Sequence, residues 1–377
     1  MRIGLLKLTD AAPVIIAQEL GFFAEEHVPV LISVEPSWGN IADKLAHGFL
    51  DAAVIVPPLA FALTLGLRGP ACGLIVPQSI NLGGNSITLS HKLMERLGPV
   101  TQVGRTGVLE YSRAFAALAR GGEPIRLAVV HQYSTHALQL RYWLAAGGTD
   151  PERDVTFTTI PPSQMVEALQ RGVIDGFCAG APWGDVAGER GLGKTVTSSH
   201  GIWRNAPEKV LAVRHDWASQ NLDMLQSAQR ALLRAAEYCD DVENTGIVSN
   251  ILARPEYLGL MADIIAAALP DKNGQTEISR RPALRFFRHA APMPWLSHAE
   301  WFLQEMQRWG QLPQKLAVGL VASSIYRPDL YRKAAISLGM SVPLTNHKSE
   351  GHDTPWRLDG APTALPMEPD GFFDQSP

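Results

Sequence analysis

Cysteine is scarce in this 377-residue chain. Cys72, Cys178 and Cys239 stand far apart, and an odd count at such spacings points away from a disulfide framework or a zinc site. No segment reaches the roughly 18 uninterrupted apolar residues of a membrane span. An excess of positive charge is also lacking: 33 basic against 37 acidic residues leave a net charge of −4, with no electrostatic footprint for nucleic acid. Catalytic signatures are absent, with no G-x-S-x-G, no P-loop and no H-E-x-x-H. "GLGK" (Gly191 to Lys194) is too short for a phosphate loop, "LGGN" (Leu82 to Asn85) reads as a glycine turn, and the eleven histidines show no metal-ligand spacing. The expectation is a protein that is not an enzyme and carries neither metal nor cofactor. The N-terminus "MRIGLLKLTDAAP" enters an apolar strand without a basic leader, which predicts a cytoplasmic location.

What the chain does have is a repeat. "KLAHGFLDAAVIVPP" (Lys44 to Pro58) returns as "ALQRGVIDGFCAGAP" (Ala168 to Pro182), so that Gly48, Asp51 and Pro58 recur 124 residues later as Gly172, Asp175 and Pro182. Upstream of each copy a hydroxyl, Ser37 or Ser163, is placed to open a helix. Two similar halves predict two lobes with a small-molecule cleft between them.

Strand and helix patterns alternate through both halves ("RIGLLKL", "VPVLISVE", "DAAVIVPP"; then "IRLAVV", "DVTFTTI", "VIDGFCAG"), which predicts parallel α/β sheets. After about residue 218 helical periodicity takes over, in "LDMLQSAQRALLRAAEYCDD", "EYLGLMADIIAAAL", "AEWFLQEMQRWGQL" and "PDLYRKAAISLG", predicting a helical part packed on the first lobe. The division expected is 1–82 for the first part of lobe 1, 83–205 for lobe 2, 206–343 for a return to lobe 1 with the helical part, and 344–377 for an extended tail. Trp356, Phe372 and Phe373 are the tail residues suited to docking on the body.

Four helix starts, near Asp10, Trp38, His136 and Gln164, follow the carboxyl ends of strands. Such ends present unpaired N–H groups and about half a positive charge, and several facing one cleft suit a small anion. Trp38 suits a cleft wall or a surface contact. His136 suits a core histidine or, if it faces the cleft, a donor to an anion.

The blocks "LTDAAPVIIAQELGFFAEE", "PSWGNIADKLAHGFLDAA", "HALQLRYWLAAGGTDPERDV", "PPSQMVEALQRGVIDGFCAGAPW", "IWRNAPEKVLAV" and "WFLQEMQRWGQL" resemble the nitrate- and bicarbonate-binding proteins of ABC-type uptake systems, in order, from about residue 3 to 340. Within that family the chain is most similar to the cytoplasmic nitrate/nitrite sensors of the NasS type, which share a short "FFD" ending like Phe372 to Asp374. The resemblance implies a type II periplasmic-binding-protein-like α/β fold with two lobes around a ligand cleft. It implies a sensor that sequesters an ANTAR-type RNA-binding antiterminator and releases it when nitrate or nitrite binds. It also implies contacts to the anion from Trp38, Asn85 (where the family has Gln), His136 and Lys209. Asp10, Gln78, Tyr133, Gln164 and Cys178 are further expected pocket-lining residues.

The chain departs from the family at Val54 (His in the family), Ala181 (Glu in the family) and "HQYST" from His131 to Thr135. Loss of that Glu, which serves a cation-assisted bicarbonate site, argues against bicarbonate and calcium. The alternative function is the solute-binding component of an ABC-type transporter for nitrate or another small anion or sulfonate. A third reading, an enzyme similar to the thiamin pyrimidine synthase, lacks that family's "CCCFC" run.

Overall fold

The computed structural model describes residues 1–102, 104–121, 124–270 and 284–374. The part of the predicted helical region at 271–283 and the tail beyond Asp374 lie outside them. Ten strands build two five-stranded sheets. They are β1 (Arg2–Leu5), β2 (Leu31–Val34), β3 (Ala52–Ile55), β4 (Leu74–Ser79), β5 (Asn85–Ser90), β6 (Ile125–Val129), β7 (Val155–Thr159), β8 (Gly176–Gly180), β9 (Gly193–Ser198) and β10 (Val210–Arg214). The first sheet runs β2-β1-β3-β10-β4 and the second β7-β6-β8-β5-β9. Each lobe is a mixed α/β layer, as in a type II binding protein.

The expected parallel sheets hold for β2-β1-β3 and for β7-β6-β8. In each sheet, however, the fourth strand is reversed: β10 runs antiparallel to β3 and β4, and β5 antiparallel to β8 and β9. The cause is connectivity. β5 is the strand by which the chain enters lobe 2, and β10 the strand by which it returns to lobe 1. Each therefore runs away from the cleft, while the parallel strands run toward it. The registers match across the repeat, with Ser86 opposite Ala179 and Val210 opposite Ile55.

The recurrent Asp has a shared structural task. Asp51 accepts from the Arg2 backbone N–H (2.7 Å) and from its guanidinium (2.7 Å), and Asp175 accepts from Arg126 N–H and guanidinium at 2.9 Å each. Each bracket pins the start of β1 or β6 to the loop entering its neighbour, β3 or β8. Burial works to raise both carboxyls, but the arginines hold them below the usual carboxylate value. Gly48 and Gly172 turn the chain before these aspartates at φ +72° and +65°, a backbone region that favours glycine.

Two crossovers join the lobes, 80–84 and 205–209. They pair with one another through Ile80 N–H to Lys209 O (2.8 Å), Gly83 N–H to Ala206 O (2.7 Å) and Glu208 N–H to Asn81 O (3.2 Å). The predicted glycine turn lies here. Gly84 has φ +104°, a backbone region that strains any L side chain, and a Cβ on it would also displace Leu284 Cδ2, 2.7 Å away.

The helical part differs from expectation in two places. "EYLGLMADIIAAAL" yields a helix only over Ala262–Ala266, because the chain breaks at Gly259 with φ +67°. The Leu296–Arg308 helix also reaches lobe 2, where Trp301 meets Tyr142 at 6.2 Å and Trp203 at 4.9 Å between ring centroids. The tail docks. Trp356–Leu358 pairs with Leu365–Met367, and Gly360–Ala361 with Val342–Pro343. Phe372 stacks on Trp203 at 4.5 Å, and Phe373 meets Tyr142 at 6.3 Å. Trp356 stacks on His352 at 3.9 Å. Among the described residues no helix is long and apolar enough to cross a membrane.

Candidate functional site

The reversed strands decide where the site forms. Because β5 and β10 start at the edge where the parallel strands end, Asn85 and the Glu208–Lys209 pair lie on the cleft between the lobes. Lys209 is fully buried. Its Nζ is 2.8 Å from Asp10 Oδ2 and 2.6 Å from Glu208 Oε1, and it sits 5.7 Å above the Trp38 ring. Burial works against an ammonium, but Asp10 and Glu208 outweigh it and hold Lys209 above its ordinary value.

Glu208 carries the cluster across to lobe 2. Oε1 accepts from the Thr135 hydroxyl at 2.5 Å, and Oε2 accepts from Asn85 Nδ2 at 2.6 Å. Burial pushes its carboxyl up, against the pull of Lys209 and Thr135. Asn85 Nδ2 also donates to Gln139 Oε1 at 3.0 Å, and that fixes both amides: Asn85 turns its oxygen, and Gln139 its Nε2, to the remaining side. His136 Nε2 lies 3.9 Å from Glu208 Oε1. Burial, and then Lys209, hold its imidazole well below its ordinary value, so the ring is neutral.

Several buried polar atoms here find no hydrogen-bond partner within the protein: Trp38 Nε1, His136 Nε2, Gln139 Nε2, Asn85 Oδ1 and the Thr9 hydroxyl. All belong to residues at most 3% exposed. Leaving such groups unpaired costs about 1–3 kcal/mol each, so their concentration points to a ligand. Trp38 opens the Trp38–Ala46 helix and His136 lies in the first turn of the Thr135–Ala146 helix, so two helix N-termini meet there. The caps are Ser37, accepting from Asn40 N–H, and Ser134, accepting from Ala137 N–H.

The structure thus brings together Trp38, Asn85, His136, Lys209 and Asp10; Gln78 is buried on β4, beside Leu211 of β10. Asp10 is not a helix cap, since its side chain is used on Lys209. Gln164 is exposed, and Ser163 caps nothing, because Pro161 and Pro162 lead into a 3-10 turn over Pro162–Gln164. Ser163 instead lines a cavity of ≈ 260 Å³ between the lobes, together with Leu6, Lys7, Val34, Glu35, Pro36 and Pro162. Tyr133 is half-buried beside His131, and Cys178 sits in the apolar core of lobe 2, where burial pushes its thiol up.

The divergent loop is committed locally. His131 Nδ1 accepts from Tyr133 N–H, and Ser134 donates to His131 O. Val54 and Ala181, the two other departures, belong to one apolar cluster. Where the family resemblance places a His and a Glu, this chain has two apolar side chains packed in a common core. Among the described residues no His/Cys/Asp/Glu group is arranged to hold a metal ion.

Sequence reasoning missed Glu208, Thr135, Gln139 and Thr9, whose backbone N–H joins the lobes by donating to Ala181 O at 2.9 Å. It also missed that Asn85 and Lys209 are themselves 124 residues apart. That spacing was the available signal for Asn85 and Lys209 as a pair.

The NMT1-like family model matches residues 1–253. The chain is 31% identical to the nitrate/nitrite binding protein NrtA of Nostoc over 90% of this chain and 77% of that one, and 31% identical to NrtA of Synechococcus elongatus over 99% and 85%. It is 33% identical to the nitrate import ATP-binding protein NrtC of Synechocystis over 89% of this chain, spanning 50% of that relative's length. The crystal structure of the periplasmic nitrate-binding protein NrtA from Synechocystis superposes with a TM-score of 0.83 at 28% identity, covering 99% of this chain and 94% of that one. An alkanesulfonate-binding protein from Xanthomonas axonopodis, at 15% identity and TM-score 0.62 over 87% of this chain and 98% of that one, shares the fold. With the two-lobed fold and the buried polar cluster at its cleft, this chain belongs to the NMT1-like family and, with NrtA, to its nitrate-binding solute-binding proteins.

Proposed function

We propose that the chain binds nitrate or nitrite in the cleft and serves as the solute-binding component of an ABC-type uptake system. The observation that carries the ligand class is the pair of unpartnered buried donors beside the Lys209 ammonium cluster, Trp38 Nε1 and Gln139 Nε2. A planar oxyanion offers acceptors in three directions and needs no apolar pocket. The transport role is supported by the NrtA relatives, which match nearly the whole chain.

A second reading is a sensor. It is supported by the Phe372–Phe373–Asp374 ending that resembles the NasS type, and by its docking on lobe 2 through Trp203 and Tyr142. In that reading the protein is cytoplasmic, acts without catalysis, and binds an ANTAR-type antiterminator in a manner that nitrate or nitrite controls. Pull-down of such a partner with and without nitrate separates the two readings: nitrate-dependent release favours the sensor. Calorimetry with nitrate, nitrite, bicarbonate and an alkanesulfonate tests the ligand class. Saturable heat with nitrate or nitrite is expected, and binding of only the sulfonate would overturn the assignment.

A further inference from the structure

Charge and hydrogen position in the buried cluster carry the reading one step further, and this step rests on the proposed anion binding. Among the described residues the sealed cluster holds one ammonium, Lys209, and two carboxylates paired to it, Asp10 and Glu208. All three are at most 2% exposed, so solvent does little to screen them. With both carboxyls ionised the cluster is negative by one charge before any anion arrives, and burial already holds Glu208 above its ordinary value. Helix N-termini offset part of that, but a second unscreened negative charge is costly in such a setting.

The His136 ring shows where the compensating charge goes. The Thr135 hydroxyl gives its only proton to Glu208 Oε1, so toward His136 Nδ1, 3.4 Å away, its oxygen can only accept. That contact suits the tautomer with the single proton of the neutral ring on Nδ1, which leaves Nε2 as a bare lone pair. Nε2 has no partner in the protein and lies 3.9 Å from Glu208 Oε1. A bare nitrogen repels an anion, whereas a protonated one donates to it and faces a carboxylate.

The charged groups acting on the ring are Lys209 and Glu208 on the 205–209 crossover; behind them stand Asp10 of the Thr9–Ala11 turn, paired to Lys209, and Cys178 on β8, which feels Glu208 and Lys209. Burial and Lys209 oppose protonation of the ring, Glu208 Oε1 stands 3.9 Å from Nε2 where it would face an imidazolium, and Cys178 stays a neutral thiol because burial disfavours its thiolate.

We propose that the cleft takes up its anion together with one proton from solvent, which lands on His136 Nε2. The pair adds no net charge to the cluster. Nitrate remains unprotonated throughout, and the new bond is N–H on the ring. Free protein keeps the ring neutral, and bound anion makes it an imidazolium. Affinity therefore strengthens as pH falls until the free ring itself begins to protonate.

The test uses the full chain and sodium nitrate. Calorimetric titrations at pH 7.5 in phosphate and in Tris, whose ionisation heats differ widely, give the number of protons taken up. About one proton per nitrate is expected, with the dissociation constant weakening by up to roughly tenfold per pH unit on the alkaline side. Side-chain nitrogen spectra of the His136 ring should change from the neutral Nδ1–H form to the imidazolium on saturation. In His136→Gln the proton uptake should vanish. Equal heats in both buffers with a pH-independent dissociation constant would overturn the proton coupling while leaving anion binding intact. Proton uptake that persists in His136→Gln would overturn the assignment to this ring. No binding of nitrate or nitrite at any pH would overturn both readings.

Discussion

Asn85 and Lys209, 124 residues apart, occupy the same position in the two lobes: each stands at the cleft end of the reversed strand of its sheet, β5 in one and β10 in the other. One copy supplies an amide and the other an ammonium, and Glu208 Oε2 and Oε1 bind them both. The duplicated framework so places two different polar groups against a common carboxylate. The lobes are joined at the point where a ligand would sit.

Trp38→Phe tests the ligand contact. It keeps an aromatic ring under Lys209 but removes the indole N–H, which has no partner in the protein, together with part of a buried bicyclic ring. A hydrogen bond to a charged group contributes about 1.5–3 kcal/mol, so nitrate affinity should fall roughly 10- to 150-fold. Without anion, urea unfolding should show a loss of about 1–2 kcal/mol of stability, because the smaller ring leaves space in the core, while Trp38→Tyr should lose affinity alike with a smaller stability loss. Unchanged affinity would place the anion elsewhere.

Lys209→Ala has a double effect. It removes the cation and leaves Asp10 and Glu208 buried without their partner. Breaking a buried pair in this way costs about 3–5 kcal/mol, so both anion binding and folding stability should drop. Denaturant unfolding beside calorimetry reads the two losses apart.

The paired brackets should behave alike. Asp51→Ala and Asp175→Ala each remove a bidentate arginine partner and leave a strand-end N–H without its acceptor. Their arginines are nearly half exposed, so each loss should be modest, roughly 1–2 kcal/mol. Chemical denaturation measures it. A much larger loss at one site than at the other would break the structural equivalence.

Acid should destabilise the fold before the carboxylates titrate. Burial lowers His131 to about 4, helped by Arg68, and His200 to about 3, helped by Arg285, with His136 also well below its ordinary value. The unfolded chain takes up these protons near pH 6.5 while the folded chain does not. Stability is therefore full above about 6.5 and declines below it, by up to roughly 1.4 kcal/mol per histidine per pH unit. Urea midpoints at pH 7.5, 6.5, 5.5 and 4.5 check this. A flat profile down to pH 5 would contradict the neutral burial of these rings.

The tail is part of the folded body. Phe372 is 3% exposed against Trp203, so Phe372→Ala should cost about 3–5 kcal/mol. Thermal unfolding measures the loss. A shift within error would mean that the tail adds nothing to the body.

The residues that the sequence made legible were those with a periodic or duplicated signature. Gly48, Asp51 and their counterparts mark a repeated turn and bracket, and the "LGGN" turn needs glycine for local reasons of backbone shape. A helix does start after Gln164, over Met165–Gln170, but Ser163 misled as its cap because the two prolines before it impose a 3-10 turn that leaves Ser163 and Gln164 exposed. Glu208 escaped notice because a Glu-Lys pair usually reads as solvated surface charge, and only the sheet return at β10 buries it. Gln139 sits inside an apolar helix with nothing local to mark it. The reversal of β5 and β10 follows from which strand crosses between lobes, a long-range feature that strand patterns do not encode.

Titration of the full chain with sodium nitrate, with the Trp38 and Gln139 side-chain N–H resonances observed at each addition, is the most direct measurement. Saturable shifts of both resonances, fitting one dissociation constant and strongly weakened in Lys209→Ala, are predicted. Resonances that stay fixed through millimolar nitrate and nitrite would contradict an anion site at this cluster.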